Sequence, residues 1–283
     1  MRVPLRYWPS ASDDETRKLL AAIPGVTFRG RRICATEDVA AAVASVLRAP
    51  GILSEPKPTP EPGQEPFPER AFLWQREAAT LLASGRKRGI FHATGVGKTG
   101  TLLMAAERIG ARHVLILTRA MGRDVFVRDS VWAAPGRRIG VVLGEGHVAS
   151  SVLRRADKLA ERLRALGADF GFYPDVNSAR AEAWAVVLGY EILPPHAEAV
   201  RAFDFDLGIA DESHMIKARC GERSEAAHSL VRGIPTRWLS TATPVPDRLR
   251  DLWSQWAWVA PECAGTSWRF CHRYTDAKPG RWG

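Results

Sequence analysis

Between about residue 71 and residue 260, apolar residues arrive in short continuous runs rather than in strict alternation with polar ones. The runs are Gly89–Ala93, His113–Thr118, Ile139–Gly144, Ala185–Leu188, Leu207–Asp211 and Arg237–Ser240. Stretches with helical spacing separate them, notably Thr99–Ile109, Val152–Leu166, Glu191–Phe203 and Arg248–Trp258. A strand without polar alternation is buried on both faces, and strands separated by helices pair in parallel. The pattern over 70–283 therefore predicts an α/β fold, a parallel sheet with helices on both faces. Ligands on such sheets bind beyond the C-terminal ends of the strands, so the residues that close each run matter most.

The first fifty residues read differently, as a small βαββα-like α+β module. An apolar start (Val3, Leu5, Tyr7, Trp8) precedes a helix opening after Ser12 with acids in its first turn. Two strands, Val26–Phe28 and Arg32–Cys34, flank a turn at Gly30, and a second helix is expected from Glu37 to Leu47. Arg29, Arg31 and Arg32 cluster at that turn, either as contacts to a DNA backbone or as a solvated surface. Residues 51–69 alternate proline with glutamate, which favours extended polyproline backbone and builds no core. They read as a linker.

Composition narrows the picture. An apolar fraction of 46% with 25% charged residues is that of an ordinary globular chain. No apolar run reaches the length of a membrane span, and Met1–Arg6 has no secretion-signal core. The expected location is the cytoplasm of a bacterial or phage-infected cell. Four widely spaced cysteines without a Cys-x-x-Cys pair read as reduced thiols, not a zinc framework. The net charge of +9 favours a polyanionic partner such as nucleic acid, although an arginine-rich genome gives the same surplus. Arg154, Lys158 and Arg162 form a stripe on the helix Val152–Leu166, open to both readings.

Two strand ends carry chemistry. After Phe91 comes His92-Ala93-Thr94-Gly95-Val96-Gly97-Lys98-Thr99-Gly100, followed by a helical pattern. Strand, glycine turn and helix in this order make a phosphate cradle, with backbone N–H groups and the helix N-terminus facing the anion. Lys98 would reach the β- and γ-phosphates of ATP, and the Thr99 hydroxyl would hold Mg²⁺. His92 stands where the strict loop pattern has glycine, so the match is to the relaxed form Ala-Thr-Gly-x-Gly-Lys-Thr. The second end is Ala210-Asp211-Glu212-Ser213-His214, 113 residues beyond the loop lysine. An apolar strand closed by two acids suits Asp211 to Mg²⁺ and Glu212 to orienting and deprotonating a water. A third strand end, Ser240-Thr241-Ala242-Thr243-Pro244, offers hydroxyls able to bond His214 and the acids.

Together these motifs, with Gln75 in Leu73-Trp74-Gln75-Arg76-Glu77, resemble those of superfamily-two helicases. Thr243-Pro244 followed by Leu252-Trp253 is similar to the third motif of Swi/Snf-type ATPases, and Val187–Glu191 resembles that family's strand-to-helix segment. Asp211–His214 and Phe270–Lys278 look most like the annealing-helicase (HARP-type) branch, whose small recognition module residues 1–50 resemble. The resemblance implies an N-terminal RecA-like lobe of a DNA-dependent ATPase that moves on duplex or junction DNA. It makes Gln75 the adenine contact, Thr94–Gly100 the nucleotide loop, Lys98, Asp211 and Glu212 catalytic, and His214, Ser240 and Thr241 a relay toward DNA. Two departures stand out: Leu115–Ala120 lacks the family's proline, and His92-Ala93 replaces its acidic-methionine pair. The resemblance also implies a second RecA-like lobe, on another chain or on a missing C-terminal part, without which hydrolysis is expected to be weak. Two alternatives fit the same residues: a non-motor DNA-binding adaptor, and a subunit of a strand-separating or restriction-type helicase.

Overall fold

The computed structural model describes residues 67–144, 160–217, 221–230 and 233–275, together with three short strands nearer the N-terminus. The chain divides into two compact units, Met1–Pro58 and Thr59–Gly283. In the first, β1 (Leu5–Trp8), β2 (Val26–Arg29) and β3 (Arg32–Thr36) form an antiparallel sheet in the order β1-β3-β2. Arg29 and Arg32 are register partners closing the β2–β3 turn. The helices expected after Ser12 and over 37–47, Arg31, most of the 51–69 linker, Arg154 and Lys158 of the basic stripe, and 276–278 lie outside the described residues.

The second unit is built on seven parallel strands: β4 (Lys87–Ile90), β5 (Val114–Thr118), β6 (Ile139–Val142), β7 (Phe170–Tyr173), β8 (Ala185–Gly189), β9 (Leu207–Asp211) and β10 (Thr236–Ser240). Their order is β4-β10-β9-β5-β8-β6-β7, every pair parallel. Three apolar runs became the centre: β5, β8 and β9 are buried at every position. Because successive side chains of a strand point to opposite faces, each strand feeds two cores. In β5, Val114 and Ile116 pack into one layer, Leu115 and Leu117 into the other.

The first layer is closed by α1 (Leu73–Ala83), α2 (Lys98–Arg108) and α3 (Arg123–Ala133). The second holds α4 (Val176–Glu182), α5 (Leu193–Arg201), α6 (Glu222–Ser229) and α7 (Arg250–Val259), and the short α8 (Pro261–Ala264) and α9 (Ser267–Tyr274) follow. Each layer buries one tryptophan completely, Trp238 in the first and Trp258 in the second. Both indole N–H groups find carbonyls, Gly85 O at 3.2 Å and Ala227 O at 3.0 Å. Truncating a tryptophan placed like this costs about 3–5 kcal/mol. This is a parallel sheet covered on both faces, as the run pattern predicts, and of the RecA-like kind that the motif resemblance implies.

The structure departs from the pattern in two ways. β7 and the helices α1, α3, α4, α6, α8 and α9 are not marked by the run pattern; β7 is a four-residue edge strand interrupted by Gly171, so neither its length nor its periodicity announces it. β4 ends at Ile90 rather than Ala93. The last contact to β10 is Thr241 N–H donating to Ile90 O at 3.2 Å, and beyond it the backbone turns to serve the lysine of the next loop.

Candidate active site

The central strands end level with one another. Ser240 is the register partner of both Ile90 on β4 and Asp211 on β9, and Thr118 pairs with Gly189. The residues that follow these partners therefore meet along one edge of the sheet, although they are far apart in sequence.

The glycine loop turns as its sequence predicts. Gly95 and Gly97 adopt φ of 78° and 81°, left-handed values that favour glycine, and α2 begins at Lys98. Lys98 is almost fully buried, and its ammonium donates to His92 O at 3.2 Å and Ala93 O at 3.0 Å. Thr94 and Gly95 are exposed, while Val96 and Thr99 are half-buried. Gln75 grips the loop from α1: its Nε2 donates to Gly97 O at 3.2 Å and its Oε1 accepts from Phe72 N–H at 3.0 Å. A Cβ at Gly97 would come within 2.6 Å of that Nε2. Gly100 is held glycine by packing, since a Cβ there would meet the Trp132 indole at 2.2 Å. His92, at the position of the missing glycine, packs edge-on against Trp74 with ring centroids 5.6 Å apart.

Asp211 closes β9 from inside the sheet. Its carboxylate accepts from the Thr118 hydroxyl at 3.0 Å. Burial, then the neighbouring Glu212 charge, push its pKa up to about 6, while the hydroxyls nearby and the Glu212 N–H pull it back. The buried Ser240 hydroxyl faces the same carboxylate without a full hydrogen bond. Glu212 is the one non-glycine residue at positive φ among the described residues, at φ 48° and ψ 50°. That turn lifts its side chain out of the strand plane, where it remains partly exposed.

Glu212, His214 and Thr241 then form a closed set. The Thr241 hydroxyl donates to Glu212 Oε2 at 3.3 Å and accepts from Thr243 N–H at 3.1 Å. His214 Nδ1 lies 2.9 Å from that hydroxyl and 3.3 Å from Glu212 Oε2. With the Thr241 proton given to Glu212, His214 must be the donor, so its proton sits on Nδ1. Burial lowers the His214 pKa, Arg119 and Lys217 lower it further, and Glu212 opposes them. The imidazole is neutral near pH 7.

Three supporting residues were not among the candidate site residues, although Tyr190 lies in the Val187–Glu191 segment noted for its resemblance. Thr118 binds Asp211 as described. The fully buried Tyr190 donates its hydroxyl to Asp211 O at 2.9 Å. Gln255, on α7, accepts from the Ser213 hydroxyl at 2.7 Å and donates to Pro244 O at 2.6 Å. A strand-closing threonine, a tyrosine after Gly189 and a glutamine in a tryptophan-rich helix are ordinary residues until folding brings them together.

Residues 174–277 match the SNF2-related domain, a span that includes β8, the acid pair, β10 and the helices after it. Among solved structures, the Sulfolobus solfataricus SWI2/SNF2 ATPase core in complex with dsDNA superposes with a TM-score of 0.54 at 17% identity, over 75% of this chain and 41% of that one. These matches support a Swi/Snf-type, superfamily-two helicase-like lobe. The DNA excision repair protein ERCC-6-like of Danio rerio is 25% identical over 236 residues, 75% of this chain and 15% of its own length. The DNA annealing helicase and endonuclease ZRANB3 of Mus musculus is 34% identical over 95 residues, 32% of this chain and 9% of its own. The chain thus spans a small part of the curated relatives it matches. Among the described residues no helix is long and apolar enough to cross a membrane.

Proposed function

We propose that the strand-end site of this Swi/Snf-type lobe binds ATP with Mg²⁺ and hydrolyses it in a DNA-dependent manner, when a second lobe completes it. The observation that carries this reading is the juxtaposition of the Lys98 loop and the Asp211-Glu212 pair. β4 and β9 are separated only by β10, whose Thr241 hydroxyl reaches Glu212.

The residues fit the nucleotide and its metal. Lys98 and the left-handed glycines present an ammonium and backbone N–H groups at the start of α2, the donor set for phosphate. Asp211 carries a carboxylate whose burial and like-charged neighbour disfavour ionisation, and a divalent cation beside it would relieve both. Thr99 and Asp211 offer hard oxygens, which suit Mg²⁺ with phosphate oxygens and water filling its other positions. Bound Mg²⁺ would neutralise charge developing on the phosphates. Glu212, partly exposed beyond Asp211, is the group to orient a water and take its proton, with Thr241 and the neutral His214 fixing its carboxylate. Gln75 positions the loop and retains one N–H for adenine. His214, Ser240 and Thr241 relay the state of the site to surfaces that contact DNA. Swi/Snf-type movement on duplex DNA, an annealing-helicase branch assignment and backbone contacts by Arg29, Arg31 and Arg32 belong to the same proposal, supported by the stretch similar to ZRANB3 and by the net charge of +9.

The test is ATP binding and hydrolysis with and without duplex DNA, for the chain alone and combined with the protein encoded next to it. Binding by the chain alone, lost in Lys98→Ala, with DNA-stimulated turnover in the combination, is the expected result. Strong DNA-stimulated turnover by the chain alone would remove the need for a second lobe, and no nucleotide binding would sink the proposal.

A further inference from the structure

Glu212 holds a backbone conformation that an L-residue adopts at a cost, and such conformations persist only where surroundings over-determine them. Two buried side chains from two other elements grip the chain immediately before and immediately after it. On the N-terminal side, the Tyr190 hydroxyl donates to Asp211 O at 2.9 Å, the carbonyl of the peptide that leads into Glu212. On the C-terminal side, Ser213 donates to Gln255 Oε1 at 2.7 Å. Gln255 is itself fixed, because its Nε2 donates to Pro244 O at 2.6 Å and Asp251 O at 3.3 Å. Tyr190, Ser213 and Gln255 are each fully buried, so neither grip competes with water.

We infer that Tyr190 and Gln255 are positioning residues for Glu212, holding the left-handed turn that aims its carboxylate at the water-attack position. The inference rests on the proposed role of Glu212. Gln255 does a second thing: it ties the Glu212–Ser213 turn to the Ser240–Pro244 turn by a neutral buried bridge, parallel to the Glu212–Thr241–His214 contacts. The two strand-end turns therefore move as one body, and a change at Pro244 is felt at Glu212 without any change at the phosphate loop.

The test uses Tyr190→Phe, which deletes one oxygen, and Gln255→Leu, which keeps volume while removing both amide bonds. Binding of a fluorescent ATP analogue with Mg²⁺ should stay within about twofold, because the Lys98 loop is untouched. Single-turnover hydrolysis with protein in excess should fall roughly 10- to 100-fold, the size expected for a misplaced catalytic group. Amide exchange reads the grip without turnover. The Met215 and Lys217 N–H groups, bonded to Glu212 O and His214 O, should exchange at least about tenfold faster, while amides of β5 and β8 stay unchanged. Ser213→Ala combined with Gln255→Leu should lose no more than Gln255→Leu alone. Unchanged exchange at Met215 and Lys217 in folded variants, or binding and hydrolysis falling together, overturns the inference. A wild-type chain that binds no nucleotide, or a Glu212→Gln variant that hydrolyses normally, removes the proposed function instead, while the exchange data still report on the grip.

Discussion

Thr118 donates its hydroxyl to Asp211 Oδ2 at 3.0 Å across two neighbouring strands, from one strand end to the next. It is the largest of three hydrogen-bonding contributions, with Ser240 and the Glu212 N–H, that favour the ionised form of a carboxylate pushed toward protonation by burial and by Glu212. Thr118→Val keeps the shape and deletes the bond. The expected outcome is a pH profile of Mg²⁺-dependent nucleotide binding displaced upward by about one to two units, since one such bond to a charged group is worth about 1.5–3 kcal/mol and one unit corresponds to about 1.4 kcal/mol. Affinity titrations between pH 5 and pH 8 check it, and an unmoved midpoint would assign the dependence to another group.

Asp211 also costs the fold something. Its pKa is raised to about 6 from an ordinary 3.8, so between those values the native state binds more protons than the unfolded chain. Stability therefore falls as pH rises through that window, and the loss persists above it. Asp211→Asn should stabilise the metal-free lobe by about 2–3 kcal/mol at pH 8 and little at pH 4, while abolishing Mg²⁺-dependent hydrolysis. Thermal melts at the two pH values measure the difference.

Gly97 and Gly100 are glycines for different reasons, and double variants separate them. At Gly97 the φ of 81° strains any side chain even if Gln75 is shortened, so Gly97→Ala with Gln75→Ala should bind nucleotide more weakly than Gln75→Ala alone. At Gly100 the three nearest atoms all belong to the Trp132 indole. Gly100→Ala should cost about 1–3 kcal/mol by overpacking, and Trp132→Leu should restore binding to the double variant. Equal rescue at both positions would contradict the assignment.

His214 is neutral near pH 7, because burial, Arg119 and Lys217 together outweigh the Glu212 charge, and the Thr241 proton given to Glu212 places the imidazole proton on Nδ1. His214→Asn, with its amide able to donate to Thr241, should retain more hydrolysis than His214→Ala, by about three- to tenfold, with little change in nucleotide affinity. Comparable losses in both variants would point to packing rather than to the donated bond.

Much of this protein was legible in its sequence because the signals are local. A continuous apolar run must be buried on both faces wherever it lies, so β5, β8, β9 and β10 were foreseeable to within a residue. Glycine spacing before Lys98 dictates a left-handed turn before a helix, and an apolar strand ending in Asp211-Glu212 places acids at its C-terminal end. What remained hidden depends on pairing. Nothing in Phe170–Tyr173 distinguishes a short edge strand from a loop, and only the order β4-β10-β9-β5 brings the loop lysine, the acids and Thr118 to one edge. The sequence by itself determined the class of fold and named the candidate groups for chemistry, through periodicity and motif. Tertiary structure alone decided which ordinary residues serve them. A buried hydroxyl or amide acquires a role only from the partner that burial forces upon it, and Thr118, Tyr190 and Gln255 found theirs on strands and turns far along the chain.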